Sequence, residues 1–522
     1  MTTDQIKNLE RELWDAADGL RANSKLTAAE YKDPLLGLVF LRFATNLYDQ
    51  KKGEIEAKLP TGPRGKRALT KEDFLAAGAL MLPQLAQYDY LASLPEGKDI
   101  ADAINNAMRL IEADYPDLQG ILPKNYQEFE KDLLRELIRV FNKDAVKNAT
   151  GDVFGRIYEY FLMKFSMQGA GAQEGGEFFT PPSLVELIVN FIEPDHGVIL
   201  DPACGSGGMF VQTGYFIKSH SKKGINEAVK CYGMELKTNN AKLAKINLAI
   251  HGIEGKVIET NSFYSDPHNL VGKCDFVMAN PPFNVNKIDK EKDFVKTDPR
   301  LPFGLPKADN GNYLWIQYFH SYLNKTGRAG FVMASSATDA GHSEKLIRQK
   351  LIETGDVDCI VSIGNNFFYT RSLPCHIWFF DKGKRKENKD NILMIDARNV
   401  FRKVTTTIND FSEEQLEGLT SIVKLYRGEK PTAGEKNEWF NERFPNGEYH
   451  DIEGLCKVIS LDEVKENDYS LTPGRYVGVS MEEDDGVEYK ARLQEIQCEL
   501  DDLNKEASEL AKVITFNLKG LI

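Results

Sequence analysis

Apolar residues recur at three- and four-residue spacing in the first part of the chain, which is typical of amphipathic helices. Thr27-Ala-Ala-Glu30 has the composition of a capping box and predicts the start of a second helix. Helical spacing continues from Phe129 to Phe141 and from Phe154 to Phe165. The sequence therefore predicts an N-terminal helical domain at residues 1–165. The first helix is predicted by Ile6, Leu9, Leu13, Ala16 and Leu20.

The pattern changes after the glycine-rich segment 168–176, which is typical of a hinge or lid. Short apolar runs then alternate with helical stretches as far as residue 400. Such runs, bounded by Gly, Asp or Asn, are typical of buried parallel strands. Their alternation with helices predicts a doubly wound α/β domain of the Rossmann-like kind at residues 166–400. The runs are Val198–Leu200, Cys231–Met234, Lys256–Ile258, Cys274–Ala279, Ala329–Ala334, Cys359–Ile363 and Cys375–Phe380.

A heptad pattern closes the chain, after a mixed and charged extension at residues 401–486. Eight apolar residues alternate in four- and three-residue steps, which is the seam of a coiled coil. This helical, coiled-coil tail at residues 487–522 could pack on its own domain or on a partner helix. Its terminal position after the acidic run 482–485 favours a partner. The seam comprises Tyr489, Leu493, Ile496, Leu500, Leu503, Ala507, Leu510 and Ile514.

Composition limits the class of protein further. A chain of 522 residues is too long for one core and predicts about three domains. No apolar run approaches the roughly 20 residues that span a bilayer, and Met1–Gln5 lacks the features of a secretory signal. The seven cysteines contain no CxxC pair, so we expect a reduced, cytoplasmic protein without a metal cage.

The first candidate site follows the first predicted strand, where Asp201-Pro-Ala-Cys-Gly-Ser-Gly-Gly208 precedes a helix. Glycines let the backbone pass close to a ligand, and the N-terminus of a helix presents free N–H groups. Either a tight turn or a nucleotide-binding loop would account for the pattern. The candidate cofactor-binding residues are Asp201, Gly205, Ser206, Gly207 and Gly208.

Two further candidates follow the second and third predicted strands. Glu235 ends the second strand, where an acidic side chain is placed to bind ribose hydroxyls. Its distance from the glycine loop exceeds the usual ~20 residues, and the insertion 218–230 accounts for the difference. A surface glutamate is the alternative interpretation. Asn261, after the third strand, is a candidate for contact with an adenine ring.

The decisive motif is Asn280-Pro281-Pro282-Phe283, at the end of the fourth predicted strand. Ligands of open α/β sheets bind beyond the carboxyl ends of the strands, so Asn280 is expected in the same cleft as Gly205. The prolines fix the backbone and offer carbonyls without donors. An amide oxygen and a fixed carbonyl can accept both hydrogens of an exocyclic amine, while Phe283 stacks on the attached base. A rigid turn is the alternative interpretation.

These segments resemble the Rossmann-type amino-group methyltransferases. Residues 201–208 resemble their cofactor loop, and residues 280–283 resemble their catalytic motif. With Gly176-Glu-Phe-Phe-Thr-Pro181 upstream, the order resembles the gamma class of N6-adenine DNA methyltransferases. The segments 26–43, 311–315 and 396–398 look like type I modification subunits, and the resemblance covers most of residues 5–400.

The resemblance implies that S-adenosylmethionine lies across the glycine loop, with its methionine side covered by the upstream segment. Phe178 and Phe179 of that segment could equally be core residues. The target adenine would be flipped out of double-stranded DNA, and Asn280 with the Pro281 carbonyl would accept its N6 hydrogens. The covering residues would be Glu177, Phe178, Phe179, Thr180, Pro181 and Pro182.

The resemblance also implies partner proteins. Type I modification subunits end in helices that dock on a specificity subunit, with two modification subunits for each specificity subunit. A net charge of −13 is consistent with a chain whose partner supplies most of the affinity for DNA. The sequence contains no GxxxxGK[ST] motif, so a restriction and translocase subunit would be a separate chain.

Other functions stay open at this point. RNA methyltransferases and protein-glutamine methyltransferases also use Asn-Pro-Pro-aromatic motifs, and a non-catalytic scaffold could retain the fold. Cys204 lies in the cofactor loop and outside any Pro-Cys motif, so it is not expected to be a nucleophile. Lys287 and Lys290, in the loop after the catalytic motif, are candidates for DNA contact or for a solvated loop.

Overall fold

The structure is a computed structural model that describes residues 3–59, 66–149, 151–168, 180–368, 372–406, 408–479 and 497. The chain divides into two compact units, Met1–Val477 and Gly478–Ile522. All but one of the residues predicted to form the heptad tail lie outside the described residues. No described helix has both the length and the apolar composition that a membrane span requires.

Eight α-helices lie in the described part of the N-terminal region. The predicted capping box is present: the Glu30 N–H donates to the Thr27 hydroxyl, and the Thr27 N–H donates to the Glu30 carboxylate. The second helix is buried from Pro34 to Thr45, at the centre of the helical core. The helices are α1 (Thr3–Ala22), α2 (Ala28–Lys58), α3 (Lys71–Ala76), α4 (Tyr88–Ala92), α5 (Ile100–Asp114), α6 (Lys131–Phe141), α7 (Asp144–Lys147) and α8 (Gly151–Met167).

A nine-stranded sheet forms the centre of the first unit, and all seven predicted strands are present in it. The strands of this sheet and the helices between them, as far as residue 397, are α9 (Pro182–Ile192), β1 (Gly197–Asp201), α10 (Gly208–His220), α11 (Ile225–Ala228), β2 (Val229–Glu235), α12 (Thr238–Ile250), β3 (Gly255–Glu259), β4 (Cys274–Ala279), α13 (Asp293–Lys296), α14 (Asn312–Tyr322), β5 (Leu323–Ala334), α15 (His342–Glu353), β6 (Val357–Ile363), β7 (Cys375–Asp381) and β8 (Asn391–Ala397).

The sheet has the order β11-β8-β6-β7-β5-β4-β1-β2-β3, in which β11 is Cys456–Ser460. Strand β7 is antiparallel to its neighbours β5 and β6, edge strand β11 is antiparallel to β8, and the remaining pairs are parallel. The chain order reverses between β1 and β4, because β2 and β3 lie on one side of β1 and β4 lies on the other. Open α/β sheets bind ligands in the crevice beyond such a switch point.

The segment after residue 400 supplies the last strand of this sheet. Its elements are β9 (Arg402–Thr405), β10 (Ile408–Asp410), α16 (Glu413–Tyr426), α17 (Glu438–Arg443), β11 (Cys456–Ser460) and α18 (Leu461–Glu466). Leu419, Ile422 and Val423 of α16 are buried in the same core as Ile188 and Phe191 of α9. The predicted extension 401–486 therefore contributes to the core of the α/β region.

The helical region and the α/β region share one helix face. Leu243, Ile246 and Ile250 of α12 belong to the core of the N-terminal helices. Helices α2 and α8 both pack against α12. Because α12 follows β2, this packing brings the start of α2 and the end of α8 to the edge of the sheet where the parallel strands end.

Candidate active site

A cavity of about 470 Å3 lies beyond the carboxyl ends of β1, β2, β3 and β4. Ten of the residues predicted for the site line this cavity, including the amide and both prolines of the strand-end motif. This convergence comes from four separate strand ends and the start of α9. The ten are Thr180, Asp201, Gly205, Ser206, Gly208, Glu235, Asn261, Asn280, Pro281 and Pro282.

The glycine-rich turn is held on both sides by backbone hydrogen bonds. The Cys204 N–H donates to the Met234 carbonyl over 3.0 Å, and the Gly207 N–H donates to the Cys204 carbonyl over 2.7 Å. Gly205 and Gly207 have φ values of +52° and +81°, which favour glycine. Gly207 packs toward Ala244 of α12 and supports the turn from behind, whereas Gly205 lines the cavity.

Glu235 connects the end of β2 to the glycine-rich turn. Its carboxylate accepts the Gly205 N–H over 2.9 Å and the Lys237 N–H over 2.8 Å, and the residue is only 7% exposed. Two backbone donors fix the orientation of this carboxylate at the mouth of the strand. A glutamate held in this way presents a fixed acceptor to a ligand in the cavity.

Asp201 is also buried, at 2% exposure, and its carboxylate accepts the Ala203 N–H over 3.0 Å. Burial raises the pKa of Asp201 well above its usual value, and the nearby Glu235 charge acts in the same direction. Burial likewise raises the pKa of the Cys204 thiol, which keeps that sulfur protonated at neutral pH. A nucleophilic cysteine requires a thiolate, so this environment favours a packing role for Cys204 over a nucleophilic one.

The Asn280 side chain at the end of β4 is bonded on one side only. Its Nδ2 donates to the Thr180 hydroxyl over 3.0 Å, which fixes the amide. Its Oδ1 is buried and has no hydrogen-bond partner among the described residues. Leaving such an acceptor unpaired costs about 1–3 kcal/mol, and buried exceptions of this kind point to function. The site thus offers one oriented amide oxygen to a donor from outside the protein.

Phe283 lies beside the cavity and does not line it. The half-buried ring meets Phe368 edge to face, with ring centroids 6.2 Å apart. Pro181 and Pro182, at the start of α9, likewise lie outside the cavity wall, although Thr180 lines it. The predicted residues Glu177, Phe178 and Phe179 lie outside the described residues.

The end of β3 contributes a turn and two aromatic residues. The Asn261 side chain accepts the Phe263 N–H over 3.0 Å, and its carbonyl accepts the Tyr264 N–H over 2.9 Å. Phe263 lines the cavity and packs on Trp315, with ring centroids 4.6 Å apart. Sequence reasoning did not assign these rings to the site. The only available signal was the position of Phe263 two residues after Asn261.

Sequence reasoning also missed one wall of the cavity, which comes from the helical region. Lys32 of α2 and both Leu162 and Ser166 of α8 line the same space as the strand ends. No local pattern marks them, because their place in the site depends on the packing of α2 and α8 against α12. Lys32 lies in the helix that the capping box starts and within the segment 26–43 that resembles type I modification subunits, but neither feature assigned it to the site.

The two lysines considered for DNA contact have different environments. The Lys290 ammonium donates to the Pro306 carbonyl over 2.9 Å and to the Ala308 carbonyl, so it ties the loop 284–312 together. Burial lowers the pKa of Lys290. Lys287 is exposed and lines the cavity. We therefore retain Lys287 alone as the candidate for DNA contact. Among the described residues, no cluster of His, Cys, Asp or Glu could hold a metal ion.

Two family models match the chain. The model described as N-6 DNA Methylase matches residues 149–485, and the model described as HsdM N-terminal domain matches residues 9–141. The first covers every residue that lines the cavity except Lys32. The second covers α2, the helix that supplies Lys32.

Individual relatives agree with these family models. The type I restriction enzyme MjaIX methylase subunit of Methanocaldococcus jannaschii is 35% identical over 98% of this chain and 91% of its own length. The HindI methylase subunit of Haemophilus influenzae is 33% identical over 82% of this chain and 95% of its own length. The crystal structure of a type I restriction-modification methyltransferase subunit from Streptococcus thermophilus shares the fold, with 21% identity, a TM-score of 0.71, and 90% and 99% of the two chains covered.

Proposed function

This chain belongs to the N-6 DNA methylase family, as a type I restriction enzyme methylase subunit, and from that premise we propose which residues carry its reaction. The enzyme transfers a methyl group from S-adenosylmethionine to the N6 atom of adenine in DNA. We propose that the cavity at the switch point of the sheet holds the cofactor and admits the target adenine.

The cavity fits the cofactor in size and in chemistry. Its volume of about 470 Å3 lies within the range of roughly 300–1,000 Å3 that is usual for small-molecule sites. Glu235 would accept hydrogen bonds from the ribose hydroxyls, and the turn at Asn261 with the Phe263 ring would hold the adenine. The glycine-rich turn would pass beside the methionine portion. The bound cofactor supplies an electrophilic methyl group on a sulfonium centre.

The chemistry assigned to the protein is positioning of the adenine amine. The Asn280 Oδ1 and the Pro281 carbonyl would accept its two hydrogens. Both acceptors draw the nitrogen lone pair out of conjugation with the ring and direct it toward the methyl group. The observation that carries this assignment is the buried, unpaired Oδ1 of Asn280, whose orientation is fixed by Thr180.

The target adenine would enter the cavity flipped out of double-stranded DNA, because its N6 atom is inaccessible in the stack. Phe283 would stack on the flipped base, a contact worth roughly 1–3 kcal/mol. The neighbouring residue Pro282 lines the cavity, so Phe283 lies next to the proposed space for the base. The upstream residues Glu177, Phe178 and Phe179, with Thr180 to Pro182, are proposed to cover the methionine side of the cofactor.

The assembly follows from the family rather than from this chain alone. Because the relatives are subunits of type I restriction enzymes, we propose that a specificity subunit binds this chain and directs it to its DNA site. Two copies of this chain for each specificity subunit, and a separate restriction and translocase subunit, complete the proposed complex. The heptad residues 487–522 are the proposed docking segment.

The Asn280→Ala variant tests the assigned chemistry. We expect the rate of methyl transfer to fall at least about 100-fold, as it does when a fixed hydrogen-bonding group is removed from an active site. The Kd for S-adenosylmethionine should change less than about threefold, because Asn280 is assigned to the adenine amine and not to the cofactor. The exposed residue Asn8 supplies the control variant, Asn8→Ala. An Asn280→Ala enzyme as fast as the parent would contradict the proposal.

A further inference from the structure

The helical region supplies a cation to the cofactor cavity. Lys32, near the start of α2, lines the cavity together with Leu162 and Ser166, which lie one turn apart on α8. The Lys32 side chain is only 17% exposed. It is therefore held within the molecule, beside a cavity wall built by residues from the α/β region.

Helix α12 connects this helical wall to the glycine turn. Helices α2 and α8 pack on α12, and Leu243 of α12 lines the cavity as well. The same helix supports the glycine turn from behind, because the Asn247 side chain donates to the Ser206 carbonyl over 3.0 Å. Lys32 and the glycine turn at residues 205–208 therefore line the same cavity and are connected through α12.

The electrostatics beside the glycine turn favour an anionic group. The N-terminus of α10 begins directly after Gly207 and has no side-chain cap, so its N–H groups and positive dipole end are available to an anion. The two nearby carboxylates already accept backbone N–H groups: Asp201 from Ala203, and Glu235 from Gly205 and Lys237. A lysine and a helix N-terminus that line the same cavity can together bind a carboxylate.

The ammonium of Lys32 has hydrogen-bond donors that no described residue accepts. Its ion pair with Asp33 is 3.8 Å long, which is beyond hydrogen-bond distance. The part of the chain that the structure describes includes no hydrogen bond from this ammonium. A lysine carries three donors, and a cation held away from bulk water is stabilised by a charged partner.

We propose that Lys32 binds the carboxylate of the methionine portion of S-adenosylmethionine, and so positions the cofactor from the N-terminal helical region. The inference rests on the proposed cofactor site. It makes the helical region part of the active site, since the cofactor would be held between α2 on one side and the glycine turn on the other. Lys32 is a positioning residue in this account and does not touch the adenine amine.

The test compares two ligands that differ only in this carboxylate. Binding of S-adenosylmethionine and of decarboxylated S-adenosylmethionine is measured by titration calorimetry on the full chain. For Lys32→Met we expect a loss of about 10- to 100-fold for the intact cofactor, the usual effect of losing a charged hydrogen bond. The decarboxylated ligand should change less than about twofold. Lys32→Arg should retain most of the affinity, and Lys58→Met, exposed on the same helix, should behave as the parent.

Three outcomes would overturn the inference. An equal loss for both ligands would make Lys32 a packing residue, and unchanged binding of both would remove it from the site. Unchanged cofactor affinity with weaker, less salt-dependent DNA binding would assign Lys32 to a DNA phosphate. The failure of the proposed cofactor site would be distinct, because the parent protein itself would then not bind S-adenosylmethionine. Thermal unfolding of each variant shows whether the fold is retained.

Discussion

Among the described residues, a single hydrogen bond orients the amide of Asn280. Thr180 supplies the hydroxyl that accepts from Nδ2, and it lies 100 positions earlier in the chain. If the amide could rotate, its nitrogen would face the cavity and would repel the hydrogens of an adenine amine. Thr180 is therefore expected to set the direction of the acceptor without contacting the reacting nitrogen.

The Thr180→Val variant keeps the shape of this side chain and removes the acceptor. We expect kcat to fall about 10-fold, the equivalent of one net hydrogen bond of roughly 1–1.5 kcal/mol. The KM for S-adenosylmethionine should stay within about threefold, because the change acts through Asn280. Thr180→Ser restores a hydroxyl and should recover most of kcat. Steady-state methyl transfer measures both constants, and a Val variant with normal kcat would remove this positioning role.

At the residue scale, the sequence predicted those parts of the site that follow strand ends. Asp201, Glu235 and Asn280 each end an apolar run, and parallel strands bring such positions to one edge of the sheet. Phe263 and Lys32 could not be predicted in this way, because tertiary packing alone brings them to the cavity. Phe283 was predicted from its motif, yet its ring lies beside the cavity against Phe368.

At the scale of elements, a buried ion pair connects the segment after residue 400 to the sheet. The Arg427 guanidinium, at the end of α16, donates to Asp358 of β6 over 2.7 Å and to the Phe191 carbonyl of α9 over 2.6 Å. Both side chains of the pair are nearly inaccessible to solvent. Burial alone would raise the pKa of Asp358, but the Arg427 charge outweighs burial and holds this pKa below its usual value.

Removing one member of this pair should destabilise the protein strongly. Arg427→Met would leave the Asp358 carboxylate buried without its partner, at a cost of about 3–5 kcal/mol in the free energy of unfolding. The double variant Arg427→Met with Asp358→Leu should recover most of that loss, because no charge is then buried. Urea unfolding measures both values. A single variant as stable as the parent would show that α16 does not depend on this pair.

His376 of β7 predicts how stability depends on pH. Burial lowers its pKa to about 4, although the nearby Asp396 charge acts to raise it. The folded protein therefore binds this proton less readily than the unfolded chain, whose histidine has a pKa near 6.5. The contribution of neutral His376 to the free energy of unfolding is complete above about pH 6.5. It is lost as the pH falls toward 4, which lowers the free energy of unfolding by roughly 3 kcal/mol.

The His376→Gln variant isolates this contribution, because glutamine stays neutral throughout. We expect the free energy of unfolding of the parent to fall more steeply than that of the variant between pH 6.5 and 4. The difference between the two curves should be flat above pH 7. Chemical unfolding at a series of pH values measures it, and parallel curves below pH 6.5 would contradict the assigned pKa.

The sequence predicted seven of the nine strands of the large sheet, but it did not predict β8 or β11. The predicted strands are compact apolar runs with clear polar bounds. Strand β11, Cys456–Ser460, is short and includes a lysine and a serine, and it becomes a strand by pairing with β8 at the sheet edge. Local composition carries little information on such an edge strand, because its stability comes from the neighbouring strand.

At the scale of the whole molecule, the acidic balance and the heptad segment both point to a partner. A net charge of −13 opposes binding to DNA phosphates, so a second protein should supply much of the affinity. Deleting residues 487–522 is expected to abolish stable association with the specificity subunit, while the Kd for S-adenosylmethionine stays unchanged. Size-exclusion chromatography of the co-expressed subunits measures the association. Intact assembly of the truncated chain would contradict the proposed docking role.

The central claim is that this chain methylates adenine at N6 through Asn280, as part of a complex. The most direct measurement is transfer of labelled methyl from S-adenosylmethionine to unmethylated DNA, with and without the specificity subunit, followed by nucleoside analysis. We predict labelled N6-methyladenine only when both proteins are present, and none with the Asn280→Ala variant. Label in another nucleoside, or none in adenine with both proteins present, would contradict the account.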